Sequence, residues 1–280
     1  MKKVLVTGSS GYIGSHLCKM LAGRYEIHGL DVVDPIVPVH KFYKVDINTQ
    51  FDMNQFPEYD AVIHLAALVN VGKSEQIPIM YYITNLNGTM NVLNRIPTKN
   101  FVFASTGQAS LCLNPYSISK RAAEDVVVEY CTTIKQKTYT MFRFYNVLGT
   151  DGIKPTNPDG LMSALIRAMD TGVFTIHGDD YDTPDGTCVR DYVHVNEICN
   201  ALMMAIEEPA NGLENLGHCT GKSVKDMVEL FKIVNNTDFR VEIGPRKKGD
   251  PAISVLTTPS RYMKELYELK DLLRTNILIN

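Results

Sequence analysis

A tyrosine and a lysine four residues apart, Tyr116 and Lys120, are the pair in this chain best suited to chemistry. Residues 121–129 predict a helix, and on a helix both side chains project from one face. An ammonium held there favours the phenolate and draws the phenol down from about 10 toward the working pH, as a general base needs. The YxxxK spacing often arises by chance. It gains meaning from a glycine-rich turn near residue 8, an acid at residue 31 and a hydroxyl at Thr106.

The elements that must position this pair can be read in order. Residues 2–6 form a short apolar run suited to a buried parallel strand. They feed Gly8-Ser9-Ser10-Gly11-Tyr12-Ile13-Gly14, after which Ile13, Leu17, Met20 and Leu21 recur at helical spacing. A second strand, residues 26–30, ends in Asp31, 17 residues after Gly14. Strand, glycine turn, helix, strand and acid make a dinucleotide-binding unit. Glycines let backbone N–H groups approach a pyrophosphate, and the helix N-terminus adds positive potential. Asp31 would accept from ribose hydroxyls and repel a 2′-phosphate, which favours NAD over NADP. The bland alternative is a glycine turn that only packs helix on sheet.

Alternation then continues. Residues 42–45 lead to Asp46 and Ile47, and residues 61–65 to Ala66 and Ala67. Residues 78–96 carry a helical stripe of Met80, Ile83, Leu86, Met90 and Leu93, read as core or subunit contact. The strand at 100–104 delivers Ser105 and Thr106 at its C-terminal end, where open parallel sheets bind ligands. The helix from Pro115 places Tyr116, Lys120, Ala123, Val127 and Tyr130 on one face. The strand at 138–144 leads to Tyr145 and Asn146. Beyond it the rhythm breaks at the Gly/Pro/Asn-rich stretch 152–160. Helices are expected at 161–170, 195–206, 223–234 and 260–273, with strands at 174–177, 213–216 and 239–243. The expected fold class is α/β: a Rossmann-type doubly wound parallel sheet with a smaller α/β substrate-binding region in the C-terminal part. Residues 1–155, with returning segments near 190–220, would bind NAD, and 156–280 would mainly bind substrate.

Composition narrows the partners. Of 280 residues, 45% are hydrophobic and 21% charged, as in an ordinary globular protein. A net charge of −3 supports neither a nucleic-acid nor a membrane-surface partner. The apolar run after Met-Lys-Lys stops too early for a signal segment, and no 18-residue apolar stretch is visible. The cysteines at 18, 112, 131, 188, 199 and 219 show no CxxC, so they read as reduced thiols of a cytoplasmic protein, with no metal site.

Together these motifs resemble the extended short-chain dehydrogenase/reductases and, within them, the UDP-glucose (UDP-galactose) 4-epimerases. The opening at residues 4–16 is similar to that family's. So are residues 81–89, with Asn85-Leu86-Asn87-Gly88-Thr89, in its long central helix, Arg143-Phe144-Tyr145-Asn146 in its substrate strand, and residues 245–250. Most specific is 177–194, His-Gly-Asp-Asp-Tyr-Asp-Thr-Pro-Asp-Gly-Thr-Cys-Val-Arg-Asp-Tyr-Val-His. The resemblance covers residues 2 to about 265.

It implies a mechanism. NAD stays bound, held by Gly8, Gly11, Tyr12, Ile13, Gly14, Asp31, Asp46, Ile47, Leu65, Ala66, Ala67, Asn85, Tyr116 and Lys120. Tyr116 removes the proton of the sugar 4-hydroxyl, bridged by Thr106, as the C4 hydride passes to the nicotinamide. Lys120 keeps the phenolate charged and holds the ribose. The 4-keto sugar turns over and takes the hydride back. Asn146 and Arg190 would grip the uridine diphosphate, where a planar guanidinium can bond two oxygens. Lys247 occupies a family arginine position, and Asp250 would bond the uridine ribose. Ser254 stands where the family gates the sugar pocket, so its small side chain would admit an N-acetyl group. A homodimer through helices 78–97 and 115–134 is implied as well.

The chain departs from the family in three places. Only nine residues separate Thr106 from Tyr116, so a substrate-facing loop is trimmed. Val69 and Gly160 replace polar residues. Other readings are a uronic-acid or pentose 4-epimerase, a 4,6-dehydratase and a non-catalytic NAD sensor. The dehydratase needs an Asp-Glu pair after the threonine, where this chain has Gly107-Gln108. At single positions, Thr106 could merely cap backbone, Arg190 could pair with Asp185 or Asp191, and Asn146 could be a turn residue. His16, His64 and His194 read as structural.

Overall fold

The computed structural model describes residues 1–247 and 249–275. The chain divides into two units, Met1–Phe144 with Cys199–Glu214, and Tyr145–Ile198 with Asn215–Asn280.

In the first unit, β1 (Lys3–Thr7) is buried on both faces, as a central parallel strand requires. It turns through glycines into α1 (Tyr12–Leu21), then β2 (Glu26–Asp31), β3 (Lys41–Lys44) and β4 (Tyr59–His64). After β4 come a short helix, α2 (Val71–Gln76), and then α3 (Pro78–Tyr81). A wide π turn (Tyr82–Asn87) connects α3 to α4 (Gly88–Arg95). β5 (Thr98–Thr106), α5 (Pro115–Glu129) and β6 (Thr138–Phe144) follow, and a strand at Gly212–Leu216 returns beside β6.

The seven-stranded sheet runs, from one edge, strand 212–216, β6, β5, β4, β1, β2, β3. The chain leaves β1 in one direction for β2 and β3, then crosses to β4, β5 and β6 on the other side. That reversal makes the C-terminal ends of β1 and β4 a topological switch point, where such sheets take ligands. Leu5, Leu30, Val62, Phe101, Phe103 and Val127 lie in one apolar cluster under the helices.

The second unit is built around β9 (Val189–His194). Beside it run β7 (Asn146–Leu148) and strand Ile253–Ser254, both parallel, and antiparallel Gly221–Ser223. A separate pair, β8 (Val173–His177) with Arg240–Gly244, is parallel. Helix Leu161–Thr171 ends on Gly172, whose φ of 73° only glycine adopts readily. Helix Val224–Asn235 starts on a Ser223 cap. The core includes Leu165, Phe174, Tyr192, Met227 and Phe231.

The expected α/β class with a doubly wound parallel sheet is what the chain forms. The helix expected at 260–273 is not: only Leu269–Leu273 is helical. Tertiary contacts claim the residues before it. The Leu266 amide donates to the Glu197 carboxylate at 2.8 Å, and the Tyr267 ring stacks on His194 at 3.8 Å. Among the described residues no helix is long and apolar enough to cross a membrane.

Candidate active site

The glycine turn is a cradle that side chains could not share. Gly8 has φ +71°, and a Cβ there would lie 2.7 Å from the Ala66 nitrogen; one on Gly14 would lie 2.0 Å from the Gly8 oxygen. The buried Ser9 hydroxyl beneath the turn has no hydrogen-bond partner among the described residues. At the end of β2, Asp31 accepts from the amides of Ser10 (3.0 Å), Val32 (2.7 Å) and Val33 (3.2 Å). Its carboxylate thus fixes the loop beside the turn while the residue stays partly exposed. These features fit a dinucleotide: close backbone approach for a pyrophosphate and a fixed acceptor for ribose hydroxyls.

The remaining sequence-predicted cofactor residues lie in the loop after β4, at the start of α1, just after β3 and in the π turn. Leu65, Ala66 and Ala67 follow β4 and are half-buried, with the Leu65 amide donating to the Thr7 carbonyl. Tyr12 and Ile13 open α1, Asp46 is exposed and accepts from the Asn48 amide at 2.9 Å, and Ile47 is buried. Asn85 is fully buried and spoken for by protein groups. It accepts from the Leu68 amide at 2.8 Å and donates to the Leu68 carbonyl and to Ser119, each at 3.0 Å. It therefore ties the 66–68 loop to α5.

α5 starts cleanly because Asn114 and Ser117 form a capping box with Pro115 at the first position. That fixes where Tyr116 and Lys120 project. Tyr116 is half-buried beneath Tyr81, whose ring meets it edge-on at 6.4 Å, and Thr106 hydrogen-bonds its phenol. Thr106 also accepts from the Gln108 amide at 3.3 Å, so the capping role and the phenol contact coexist. The Lys120 ammonium is buried over the Phe103 ring, 4.1 Å from its centre.

In the polypeptide alone, burial pushes the Tyr116 phenol up to about 12, against the opposing pull of the Thr106 hydrogen bond. Burial likewise brings Lys120 down to about 7, against the opposing pull of Glu124. His64, held between Thr7 and Thr89, falls to about 3 by burial and stays neutral, in keeping with a structural role.

In the second unit Arg190, Asp250 and Ser254 come together. Arg190 lies on β9, paired in register with Ser254, and its Nη1 donates to the carbonyls of Val189 (2.9 Å) and Ala252 (3.3 Å). Its Nη2 lies 3.2 Å from the Asp250 carboxylate without a hydrogen bond, and has no other partner among the described residues. The acid beside Arg190 is therefore Asp250, not Asp185 or Asp191. Asp191 points the other way and accepts from the amides of His218, Cys219 and Leu256. Asn146 donates to the Asp191 carbonyl at 3.1 Å, and Lys247 is exposed. Unforeseen in sequence is Arg246, which pairs with Asp180 and lies over the Tyr181 ring at 4.2 Å. Also unforeseen was Glu124: a single residue inside a helical pattern carries no local signal. Among the described residues no His/Cys/Asp/Glu group could hold a metal ion.

A doubly wound sheet with a dinucleotide cradle at its switch point and a Thr/Tyr/Lys set beside it defines a nicotinamide-dependent enzyme class of the short-chain type. The chain belongs to the NAD dependent epimerase/dehydratase family, which matches residues 4–217. It is 32% identical to a UDP-glucose 4-epimerase of Halalkalibacterium halodurans, over 89% of this chain and 85% of that protein. It is 30% identical to UDP-arabinose 4-epimerase 1 of Arabidopsis thaliana, over 94% and 74%. In structure it is similar to a UDP-glucose 4-epimerase of Stenotrophomonas maltophila solved with bound NAD and formylated UDP-arabinopyranose. The TM-score there is 0.87 at 26% identity, covering 98% of this chain and 96% of that one.

Proposed function

We propose that this protein is a 4-epimerase of UDP-sugars that works with resident NAD and interconverts UDP-glucose and UDP-galactose. The observation that carries the reading is the placement of Thr106, Tyr116 and Lys120 beside a glycine cradle at the switch point of the sheet. Bound NAD supplies a hydride acceptor that later returns the hydride. The polypeptide supplies the rest. Tyr116 takes the 4-hydroxyl proton, Thr106 orients it, and Lys120 in its ammonium form compensates the phenolate. In the second unit the Nη2 of the buried Arg190, which lies beside Asp250 but makes no hydrogen bond among the described residues, is suited to a diphosphate oxygen. Asn146, Asp250 and Lys247 would serve the rest of the nucleotide, and Ser254 would leave room for an N-acetyl group. UDP-pentoses are the second reading, on the strength of the arabinose 4-epimerase relatives.

Exposed apolar side chains on α3, α4 and α5, namely Ile79, Met80, Met90 and Ile118, support a homodimer through these helices. Six free thiols support a cytoplasmic setting.

The test is a coupled assay with UDP-galactose and no added NAD. UDP-glucose should form without net NADH, and Tyr116→Phe should slow it by about 10³-fold, the scale of lost general-base catalysis. Silence with hexose, N-acetylhexosamine and pentose substrates alike would sink the reading. In the same assay Ser254→Tyr should abolish N-acetylhexosamine turnover selectively; equal turnover by both proteins would remove Ser254 as the gate.

A further inference from the structure

One helical turn beyond Lys120 lies a carboxylate that the reaction as described does not use. Glu124 is only 3% exposed. Its Oε1 accepts from Arg143 Nε at 2.8 Å and from Ser105 Oγ at 2.5 Å, and its Oε2 accepts from Arg143 Nη2 at 2.6 Å. α5, β5 and β6 thus meet on one side chain. Ser105 immediately precedes Thr106, so the strand that carries Thr106 and the helix that carries Tyr116 and Lys120 are referenced to the same carboxylate.

A staple alone would not need charge. Buried ion pairs are often no more stabilising than apolar contacts of the same volume. The placement is what distinguishes this one, because Tyr116, Lys120 and Glu124 at i, i+4 and i+8 form one stripe of α5. Lys120 faces Glu124 on its own helix, neutral His64 on β4 and the Phe103 ring on β5, with Tyr116 one turn before it and Tyr81 against Tyr116; Glu124 in turn is met by Arg143 on β6 and, at 4.0 Å, by Arg121 on α5. Among these, Glu124 is the one carboxylate.

We propose that Glu124 is a positioning residue for the catalytic pair. Through Ser105 it holds α5 in register with Thr106, and its negative charge keeps the buried Lys120 ammonium charged. The inference rests on the reading of Tyr116 and Lys120 as base and activator. Burial already weakens the ammonium, and Glu124 is the group that opposes that effect.

Charge and packing make different predictions for the two halves of the pair. Glu124→Gln removes the negative charge one turn from Lys120 and leaves the Arg143 guanidinium unopposed, whereas Arg143→Met leaves the negative carboxylate. The experiment is the pH dependence of UDP-galactose turnover by the holoenzyme. Glu124→Gln should move the alkaline limb down by about one pH unit and cut turnover at pH 8 about tenfold, with KM within about twofold. Arg143→Met should move the same limb up. Limbs that stay in place, or move together, overturn the charge role. Ser105→Ala keeps both charges and removes one hydrogen bond. It should lower turnover with the limb unmoved, and full activity overturns the register role even if the other variants fail to fold. Tyr116→Phe is run alongside: if it stays active, the underlying reading fails, whereas unmoved limbs with Tyr116→Phe inactive overturn only this inference.

Discussion

Two guanidinium–carboxylate pairs, one in each unit, differ in how far the polypeptide satisfies them. Glu124 and Arg143 are closed on each other: two parallel bonds at 2.8 and 2.6 Å, with the Glu124 side chain 4% and the Arg143 side chain 10% exposed. Arg190 is equally buried, at 10%, but its acid is 30% exposed, and at 3.2 Å its Nη2 has not closed a hydrogen bond. An unsatisfied buried donor is costly to keep unless something else completes it. The first pair is complete within the polypeptide; the second keeps a guanidinium nitrogen without a hydrogen bond among the described residues, which in our proposal a diphosphate oxygen would take.

That contrast is open to attack. The largest effect should come from Arg143→Met, which leaves the buried Glu124 carboxylate with only Ser105 and, at 4.0 Å, Arg121, and should cost about 3–5 kcal/mol of unfolding free energy in urea titration of the holoenzyme. A loss under about 1 kcal/mol would erase the distinction. Arg190→Met should barely move the unfolding midpoint, yet raise the KM for UDP-galactose about 30-fold, equivalent to about 2 kcal/mol of a buried charge-assisted contact. If the midpoint falls and KM does not, Arg190 belongs with the closed pair.

The smallest effect sharpens a third case, His218 with Glu197 in the second unit. The two are 2.8 Å apart, and the carboxylate raises the histidine above its ordinary value of 6.5. Because the folded value is the higher one, the pair contributes fully below about pH 6.5. Its contribution is lost as pH rises through the folded value. The melting temperature of the native protein should therefore decline over that window, and His218→Gln should flatten the decline. An unchanged slope would mean the pair is not charged in the fold.

How much of this was readable beforehand follows from how local each signal is. The glycine turn, the acid at 31 and the YxxxK spacing are local chemistry, and the chain places them at one sheet edge. Thr106 was readable because a strand end names its own last residue. Glu124 and Arg143 were not readable as a pair. They are 19 residues apart, and only the pairing of β5 with β6 under α5 brings them together. The stretch before Leu269 reads as a helix because its propensity is good, but propensity is a weak prior. One carboxylate, Glu197, and one ring, His194, override it. The π turn left no trace in the pattern either, since a single extra residue hardly disturbs an apolar stripe.

That wide turn has a consequence for engineering. A redesign that deleted one residue from 82–87 would restore an ordinary α-helix and improve its internal hydrogen bonding. It would also rotate Asn85 by roughly 100°, one residue's step around a helix of about 3.6 residues per turn, away from Leu68 and Ser119. The irregularity is thus a spacer with a set length, and a more stable variant without it would be a better helix in a worse enzyme.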